Sequence, residues 1–362
     1  MRVLHLIPSF VGGGAERQFA YTTEALSDIG IDIHVGYVHA GPNLERIKNG
    51  RIIVHKIPCY GNHDPLILPR LLRLINQVNP HVIHTWLLQM DIFGGIASLI
   101  QNTPWVLSER SSSPMYTDHW KFNLRRRVGR YASAVVANSN AGLEYWATVS
   151  QSPHNRVIRN IVPIGNDGIF DQPIDIVDFC GDQPFVLVVG RYSEEKNLFV
   201  LLKALDSVLL ERPALHVVSF GAGPKQEELI FFASSLKCSS RIHIFSYTEC
   251  LPYWMKRATV YISLSRFEGN PNTVLEAISF GCPVVVSDIP AHREILTSQM
   301  CIFVPCDNLR EIANGVIWSV DNKSVANAMA QLALDEITKW SKFSIASEYL
   351  NLYEDILQGA KN

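Results

Sequence analysis

A chain of 362 residues is too long for one ordinary core and suits two domains of roughly 170 residues each. With 47% hydrophobic and 18% charged residues it reads as a soluble globular protein with well-buried sheets, and no apolar run approaches the roughly 18–20 residues that span a bilayer. The net charge of −2 hides an asymmetry: residues 1–166 hold 16 Lys and Arg against 10 Asp and Glu, the remainder 16 against 24. The first part therefore has the balance of a partner for phosphates or anionic lipid. Seven scattered cysteines without a C-x-x-C spacing argue for reduced thiols and against a disulfide framework or structural zinc.

In chain order, VLHLIPSF (3–10) reads as a buried strand. His5 and Pro8 interrupt its apolar run and no small-residue cleavage site follows, which disfavours a signal peptide. Gly12-Gly13-Gly14-Ala15-Glu16-Arg17 then opens a helical pattern over 15–29. Three glycines let a backbone approach a ligand, and a helix start supplies N–H groups for an oxyanion. An ordinary tight turn accounts for them equally. Neither G-x-G-x-x-G nor a Walker Lys-Ser/Thr is present, so the NAD and ATP fingerprints both fail.

Strands at 32–38, 52–57, 81–86, 104–109 and 134–139 follow, with helical patterns at 66–78, 90–100 and 121–132 between them. That alternation indicates a parallel sheet covered on both faces. Residues 166–183, rich in Gly, Asp and Pro, read as a linker between a first domain, 1–165, and a second, 184–340. The second repeats the pattern, with strands at 184–190, 215–221, 242–247, 258–265, 283–288 and 301–305 and helices at 197–210, 224–237, 271–280 and 308–319. The tail from 324 to 358 reads as helical, with 341–362 returning to the first domain. Two Rossmann-like doubly wound domains facing a central cleft are expected, with ligands at the carboxyl ends of strands.

The most informative segment is EGNPNTVLEA, 268–277. Asn270 reads as a helix cap and Pro271 as the first helical residue, leaving backbone N–H groups of Asn272, Thr273 and Val274 for an anion. Glu268 and Glu276 flank that start eight positions apart. Eight helical residues cover about 12 Å, beyond the roughly 5–9.5 Å of a glycosidase carboxyl pair, so separate binding roles suit them better. Gly190-Arg191-Tyr192-Ser193-Glu194-Glu195-Lys196 occupies a strand-to-helix turn in the same domain. Arg191 and Lys196 can there neutralise a diphosphate, although a solvated charged loop is the plainer alternative.

In the first domain His81 and His84 have opposite strand parity and make a poor metal pair. His84 either enters the cleft or is a satisfied core histidine. Glu109 and Arg110 end a strand and are expected at the same cleft, as is Arg17 beyond the glycine turn. Lys121, Arg125, Arg126, Arg127 and Arg130 lie on one helical stretch beside Phe122, Leu124 and Val128, which suits either an anionic membrane or a solvated face.

Together these motifs resemble glycosyltransferase family 4, whose members are retaining enzymes of GT-B fold. The resemblance rests on G-R-x₃-E-K at 190–196, Gly221 and Gly223 in FGAGP, E-x₇-E at 268–276 and FGCPVVVSD at 280–288, supported by GGGAER and AVVANS. It implies transfer from a nucleotide-diphosphate sugar, with UDP the commonest carrier, to a glycan or lipid-linked acceptor. Arg191 and Lys196 would bind the donor diphosphate and, with Glu268 near the reacting centre, carry the catalysis. Glu276 would hold the ribose, and Asn272 to Val274 the phosphate. Gly13, Gly14, Gly190, Gly223, Phe245, Gly269 and Asn270 would complete the donor site, and Arg17, His84, Glu109 and Arg110 are acceptor-side candidates.

No D-x-D-like metal motif ends a strand, so neither a metal nor another cofactor is expected. No nucleic acid is expected as partner. Reduced thiols and the strand-like N-terminus read as a cytoplasmic protein, whose basic helix either meets the inner face of the plasma membrane or is a solvated face. Many members carry a histidine where this chain has Glu109 and Arg110, Gly in place of Ser246 and Asp in place of Ser133. A non-catalytic sugar-nucleotide-binding subunit and a GT-B-type epimerase are the competing readings. A phosphorylase would need a pyridoxal lysine context that the chain lacks.

Overall fold

The computed structural model describes residues 1–47, 50–61, 64–111, 116, 119–164, 181, 183–248 and 250–359. It forms two compact units, Met1–Ile161 joined by Trp340–Asn362, and Val162–Lys339. The expected linker, 166–183, lies almost wholly outside the described residues.

The first unit is built on β1 (Arg2–Ser9), β2 (Asp32–His39), β3 (Ile53–Lys56), β4 (Val82–Trp86), β5 (Trp105–Glu109), β6 (Ala134–Ala137) and β7 (Arg156–Val157). They form one sheet in the order β3-β2-β1-β4-β5-β6-β7, parallel throughout. Because side chains alternate along a strand, β1 feeds two cores. Val3 and Ile7 join Phe19, Leu26 and the helix Lys342–Gly359 on one face. Leu4 and Leu6 join Leu71, Ile75, Met90 and Trp105 on the other.

The second unit contains β8 (Phe185–Val189), β9 (His216–Phe220), β10 (Ile242–Phe245), β11 (Val260–Ser263), β12 (Val284–Ser287) and β13 (Ile302–Val304). Their order is β10-β9-β8-β11-β12-β13, again all parallel. Val186, Val188, Ile262 and Val285 pack under the helices Leu198–Glu211 and Leu309–Asp321. On the opposite face Phe185 and Phe220 hold Trp254 between them at ring separations of 5.6 and 5.2 Å. In each sheet the strand order reverses once, between β1 and β4 and between β8 and β11, and ligands of such folds bind where it does.

The tail is not one helix. It breaks at a 3₁₀ turn, Thr338–Trp340, where the Thr338 hydroxyl bonds back to the Asp335 carbonyl at 2.6 Å. Lys323–Ile337 stays with the second unit, while Lys342–Gly359 packs on the first through Ile345, Tyr349, Leu352, Tyr353 and Ile356. Four helices that periodicity did not signal, Asn43–Arg46, Asn140–Ala147, Leu251–Arg257 and Pro290–Arg293, are short. All six cysteines among the described residues are unpaired. No helix among these residues is long and apolar enough to cross a membrane.

Candidate functional site

In the second unit the loops after β8 and β11 meet at the carboxyl edge beside the strand-order switch. After β8 the chain turns through Gly190 and Arg191 into the 3₁₀ turn Glu194–Lys196. Asn197 then takes a left-handed φ of 55°, which Asn tolerates better than most residues, and leads into the helix Leu198–Glu211. Tyr192, fully buried, anchors the turn by donating its hydroxyl to the Phe245 carbonyl at 2.8 Å, and burial pushes its phenol up to about 12. Gly221 and Gly223 permit close backbone approach. A Cβ on Gly221 would strike the Gly190 carbonyl oxygen, and one on Gly223 that of Tyr192. Both glycines of FGAGP thus have a packing reason independent of any ligand.

The β11 loop is tied to this turn by the Arg266 N–H, which donates to the Glu195 carbonyl at 2.8 Å. The tie sets Glu268 against Lys196, whose Nζ lies 2.5 Å from Glu268 Oε1. Ser265 donates to the same oxygen at 2.7 Å, and its carbonyl accepts from Ser287 at 2.6 Å. Buried His292 closes the line with its Nδ1 2.7 Å from the Ser287 carbonyl, and burial holds its imidazole below the usual range. Nothing in the sequence signalled Ser265, Ser287 or His292 as supports of this pair. Arg191 is exposed and its guanidinium has no hydrogen-bond or ion-pair partner among the described residues.

The helix after β11 starts one residue later than expected. Pro271 has ψ 74°, outside the helical range, and stands at the N-cap position, so Asn272 is the first helical residue. Asn270 is therefore not the cap. Its carbonyl instead accepts from the Asn272 N–H at 2.9 Å, which engages one of the three amides expected to meet an anion. Thr273 and Val274 remain in the first turn, where intrahelical acceptors are lacking. The Asn270 side chain is buried with neither Oδ1 nor Nδ2 hydrogen-bonded. Glu276 stands one turn inside the helix, half-buried.

In the first unit Gly12 and Gly13 carry φ values of 130° and 141°, so the turn into the helix Gly14–Asp28 requires glycine there. A Cβ on Gly13 would meet the Glu16 carboxylate at 2.5 Å, and burial raises the pKa of that carboxyl. Of the acceptor-side candidates, His84 and Glu109 need correction. His84 is fully buried, bonding Tyr353 Oη through Nδ1 and Ser108 Oγ through Nε2, each at 2.7 Å. It is a satisfied core histidine. Glu109 and Arg110 do not share a face, because adjacent residues alternate across the sheet. Glu109 is fully buried, accepting from Arg125 Nη1 at 2.7 Å, from Trp146 Nε1 at 2.8 Å and from the Tyr116 hydroxyl. Arg110 turns the other way and stacks over Trp86, 3.8 Å from the ring centre.

Two family models match the chain in succession, Glycosyltransferase Family 4 over residues 12–165 and Glycosyl transferases group 1 over residues 174–335. The chain belongs to glycosyltransferase family 4. It is 21% identical to the lipopolysaccharide core biosynthesis glycosyltransferase LpsE of Rhizobium meliloti, over 94% of this chain and 95% of that one. It is 23% identical to the poly(glycerol-phosphate) alpha-glucosyltransferase of Bacillus subtilis, over 63% of this chain but only 35% of the relative. Anabaena Alr3699/HepE, solved with UDP and glucose, superposes with a TM-score of 0.81 at 18% identity, covering 100% of this chain and 99% of that one. S. aureus TarM gives 0.79 at 11% identity, over 97% and 98%. The fold is GT-B.

For a family 4 glycosyltransferase the basic helix, Trp120–Gly129, is less open than its sequence suggested. Arg125 is only 3% exposed, bonding Asp91 at 2.8 Å and Glu109 at 2.7 Å, and is lost as a membrane candidate. Burial pushes Asp91 up to about 6 even with that guanidinium beside it. Arg126 is half-buried, bonded to Thr148 Oγ1 at 2.7 Å and stacked on Tyr145. Arg127 and Arg130 are exposed and Lys121 partly so, flanked by Trp120 at 60% and Tyr131 at 62% exposure.

Proposed function

We propose that this glycosyltransferase moves a sugar from a UDP-sugar to a glycan or lipid-linked acceptor in cell-surface polysaccharide or glycolipid synthesis, with retention at the anomeric carbon and without a metal. The observation that carries the reading is the Lys196–Glu268 pair, set beside the exposed Arg191 and the amides of Thr273 and Val274 at one carboxyl edge. The UDP complexes of Anabaena Alr3699/HepE support the choice of nucleotide. The surface-glycan roles in the names of LpsE and of an Escherichia coli O-antigen biosynthesis glycosyltransferase support the acceptor class.

In this reading Lys196 keeps two N–H donors beyond the one given to Glu268 and, with Arg191 and the helix-start amides, stabilises the leaving diphosphate. Those positive groups do the work that a divalent ion would otherwise do. Glu268 Oε2 is available to hydroxyls of the donor sugar, since Lys196 and Ser265 both bond Oε1. Glu276 takes the ribose hydroxyls. The buried, unbonded Asn270 amide gains partners when a donor fills the loop, relieving a cost of about 1–3 kcal/mol per unsatisfied group. Gly13 and Gly14 let the backbone approach the reactants.

The membrane reading is carried by Trp120, Lys121, Arg127, Arg130 and Tyr131, a cationic strip with aromatic ends suited to anionic headgroups at a cytoplasmic surface. The deciding experiment screens UDP- and other nucleotide-sugars by thermal shift, then measures acceptor-dependent release of UDP with the product's anomeric configuration read by NMR. Turnover in EDTA checks metal independence. Binding without turnover on any acceptor extract would favour a non-catalytic subunit. Conversion of the nucleotide-sugar with no acceptor would favour an epimerase, and no binding at all would sink the transferase reading.

A further inference from the structure

Arg110 follows β5 at the carboxyl edge of the first sheet, two strands from the glycine turn. Its Nη2 donates to Tyr349 Oη at 2.6 Å and to Ser108 Oγ at 3.2 Å, and Nη1 donates to Asn160 Oδ1 at 3.1 Å. Every one of these acceptors is neutral. No carboxylate lies within ion-pair distance of Arg110 among the described residues, and its Nε–H is buried without a partner.

The surroundings do not supply the missing charge. Glu109 points through the opposite face to Arg125. His84 and His5, whose rings lie 4.8 Å apart, are fully buried and held neutral by that burial and by the nearby guanidinium. Ser108 Oγ, which accepts from Arg110, and Tyr353 Oη engage the two ring nitrogens of His84, so both nitrogens are bonded to neutral hydroxyls. The network is built of neutral groups and leaves one partly buried cation without a counter-ion among the described residues. Trp86 covers one face of the guanidinium, which fixes its plane and leaves its edge to define the direction of approach.

A cation in this state is a site for an anion: partial burial weakens the competition of water, and Nη1 keeps a second N–H beyond the one given to Asn160. We infer that Arg110 binds one oxyanion of the acceptor, a phosphate or a carboxylate, at the carboxyl edge of the first sheet. The inference rests on the transferase reading for the word acceptor, and on the network alone for the anion. It makes Arg110 a specificity-determining residue: acidic acceptors are selected and neutral glycans are not.

The test uses the full chain labelled with ¹⁵N-arginine, titrated with sodium phosphate and separately with sodium glucuronate at ionic strength fixed by sodium chloride. The Arg110 Nε–H resonance is assigned by its loss in Arg110→Gln, or in Arg110→Lys should the Gln variant not fold. A saturable shift is expected with at least one anion, and at least tenfold weaker anion binding by calorimetry in the variant. Phosphate alone would identify a phosphate-bearing acceptor, and glucuronate alone an acidic sugar. Tyr349→Phe, which removes the tie to the C-terminal helix but keeps the cation, should retain the response; its loss there, or no saturable shift with either anion, overturns the inference. UDP-glucose binding in the same samples stands apart: its absence would count against the transferase reading, not against the anion site.

Discussion

Lys196 and Glu268, 72 positions apart in sequence, share a 2.5 Å contact that joins the loops after β8 and β11. Those two strands are neighbours at the reversal of strand order, so the pair exists because the sheet is doubly wound and not because either motif is complete alone. The ammonium orients the carboxylate, and the carboxylate holds the ammonium at the sheet edge where the proposed site puts the diphosphate.

Lys196→Met is expected to lower turnover by about 10²–10³ and weaken UDP binding by about tenfold, because a preorganised cation is removed from the leaving group. Glu268→Gln keeps the hydrogen-bond geometry and should lower turnover while changing UDP affinity by no more than about threefold. Calorimetry with UDP and acceptor-dependent UDP release separate the two. Equal loss of UDP binding in both variants would contradict the division of roles.

Gly221→Ala places a methyl group on the Gly190 carbonyl oxygen. The strain falls on the turn that carries Arg191 and Lys196. We expect a loss of about 1–3 kcal/mol in stability together with weaker UDP binding, although residue 221 contacts no donor in the proposed site. Urea unfolding and UDP calorimetry on one preparation check both parts.

Arg125→Ala should destabilise the protein by about 3–5 kcal/mol, since it strands Asp91 and Glu109 as buried, unpaired carboxyls. Arg127→Ser with Arg130→Ser should leave the melting temperature within a degree or two but weaken binding to vesicles containing anionic lipid. Co-sedimentation with such vesicles reads the second effect. Binding unchanged in the double variant would remove the membrane role from this helix.

The pH dependence has a definite sign. Burial lowers the pKa of His5 (to about 3), His34, His55, His84, His216, His243 and His292. The unfolded chain therefore takes up protons first as pH falls, with its imidazoles near 6.5. Stability is complete above that value and is lost as pH drops through it. Asp91, raised to about 6, acts in the opposite sense, because the fold binds its proton before the unfolded chain does. Glu16 and Glu348, also raised by burial, act with it, but seven imidazoles outweigh three carboxyls, so the melting temperature should fall by several degrees between pH 7.5 and 5.5 at constant ionic strength.

The sheets were legible because parallel strands buried on both faces read as continuous apolar runs, as VVVS of β12 and AVVA of β6 show. That Arg191, Lys196 and Glu268 would gather at one carboxyl edge was legible because their turns follow neighbouring strands of a doubly wound sheet. Charge was misread where burial decides. Arg125 sits among basic neighbours in sequence but faces Asp91, 34 positions away, so linear patterning could not separate it from Arg127. Glu109 and Arg110 show the same limit, since their adjacency concealed the alternation that sends them to opposite cores. Asn270 and Pro271 carried the composition of a helix start, but the observed ψ of Pro271 moved the start by one residue.

The C-terminal helix completes the first unit, and this has a bearing on how the chain is made. The polypeptide leaves that unit at Ile161 and re-enters it at Trp340, so the second unit is a continuous insertion. On the ribosome the second unit can therefore close as soon as it emerges. The first must wait, with Val3, Phe19 and the ring of His84 uncovered, until Tyr349, Leu352 and Tyr353 are translated. The part synthesised first is thus the last to finish folding.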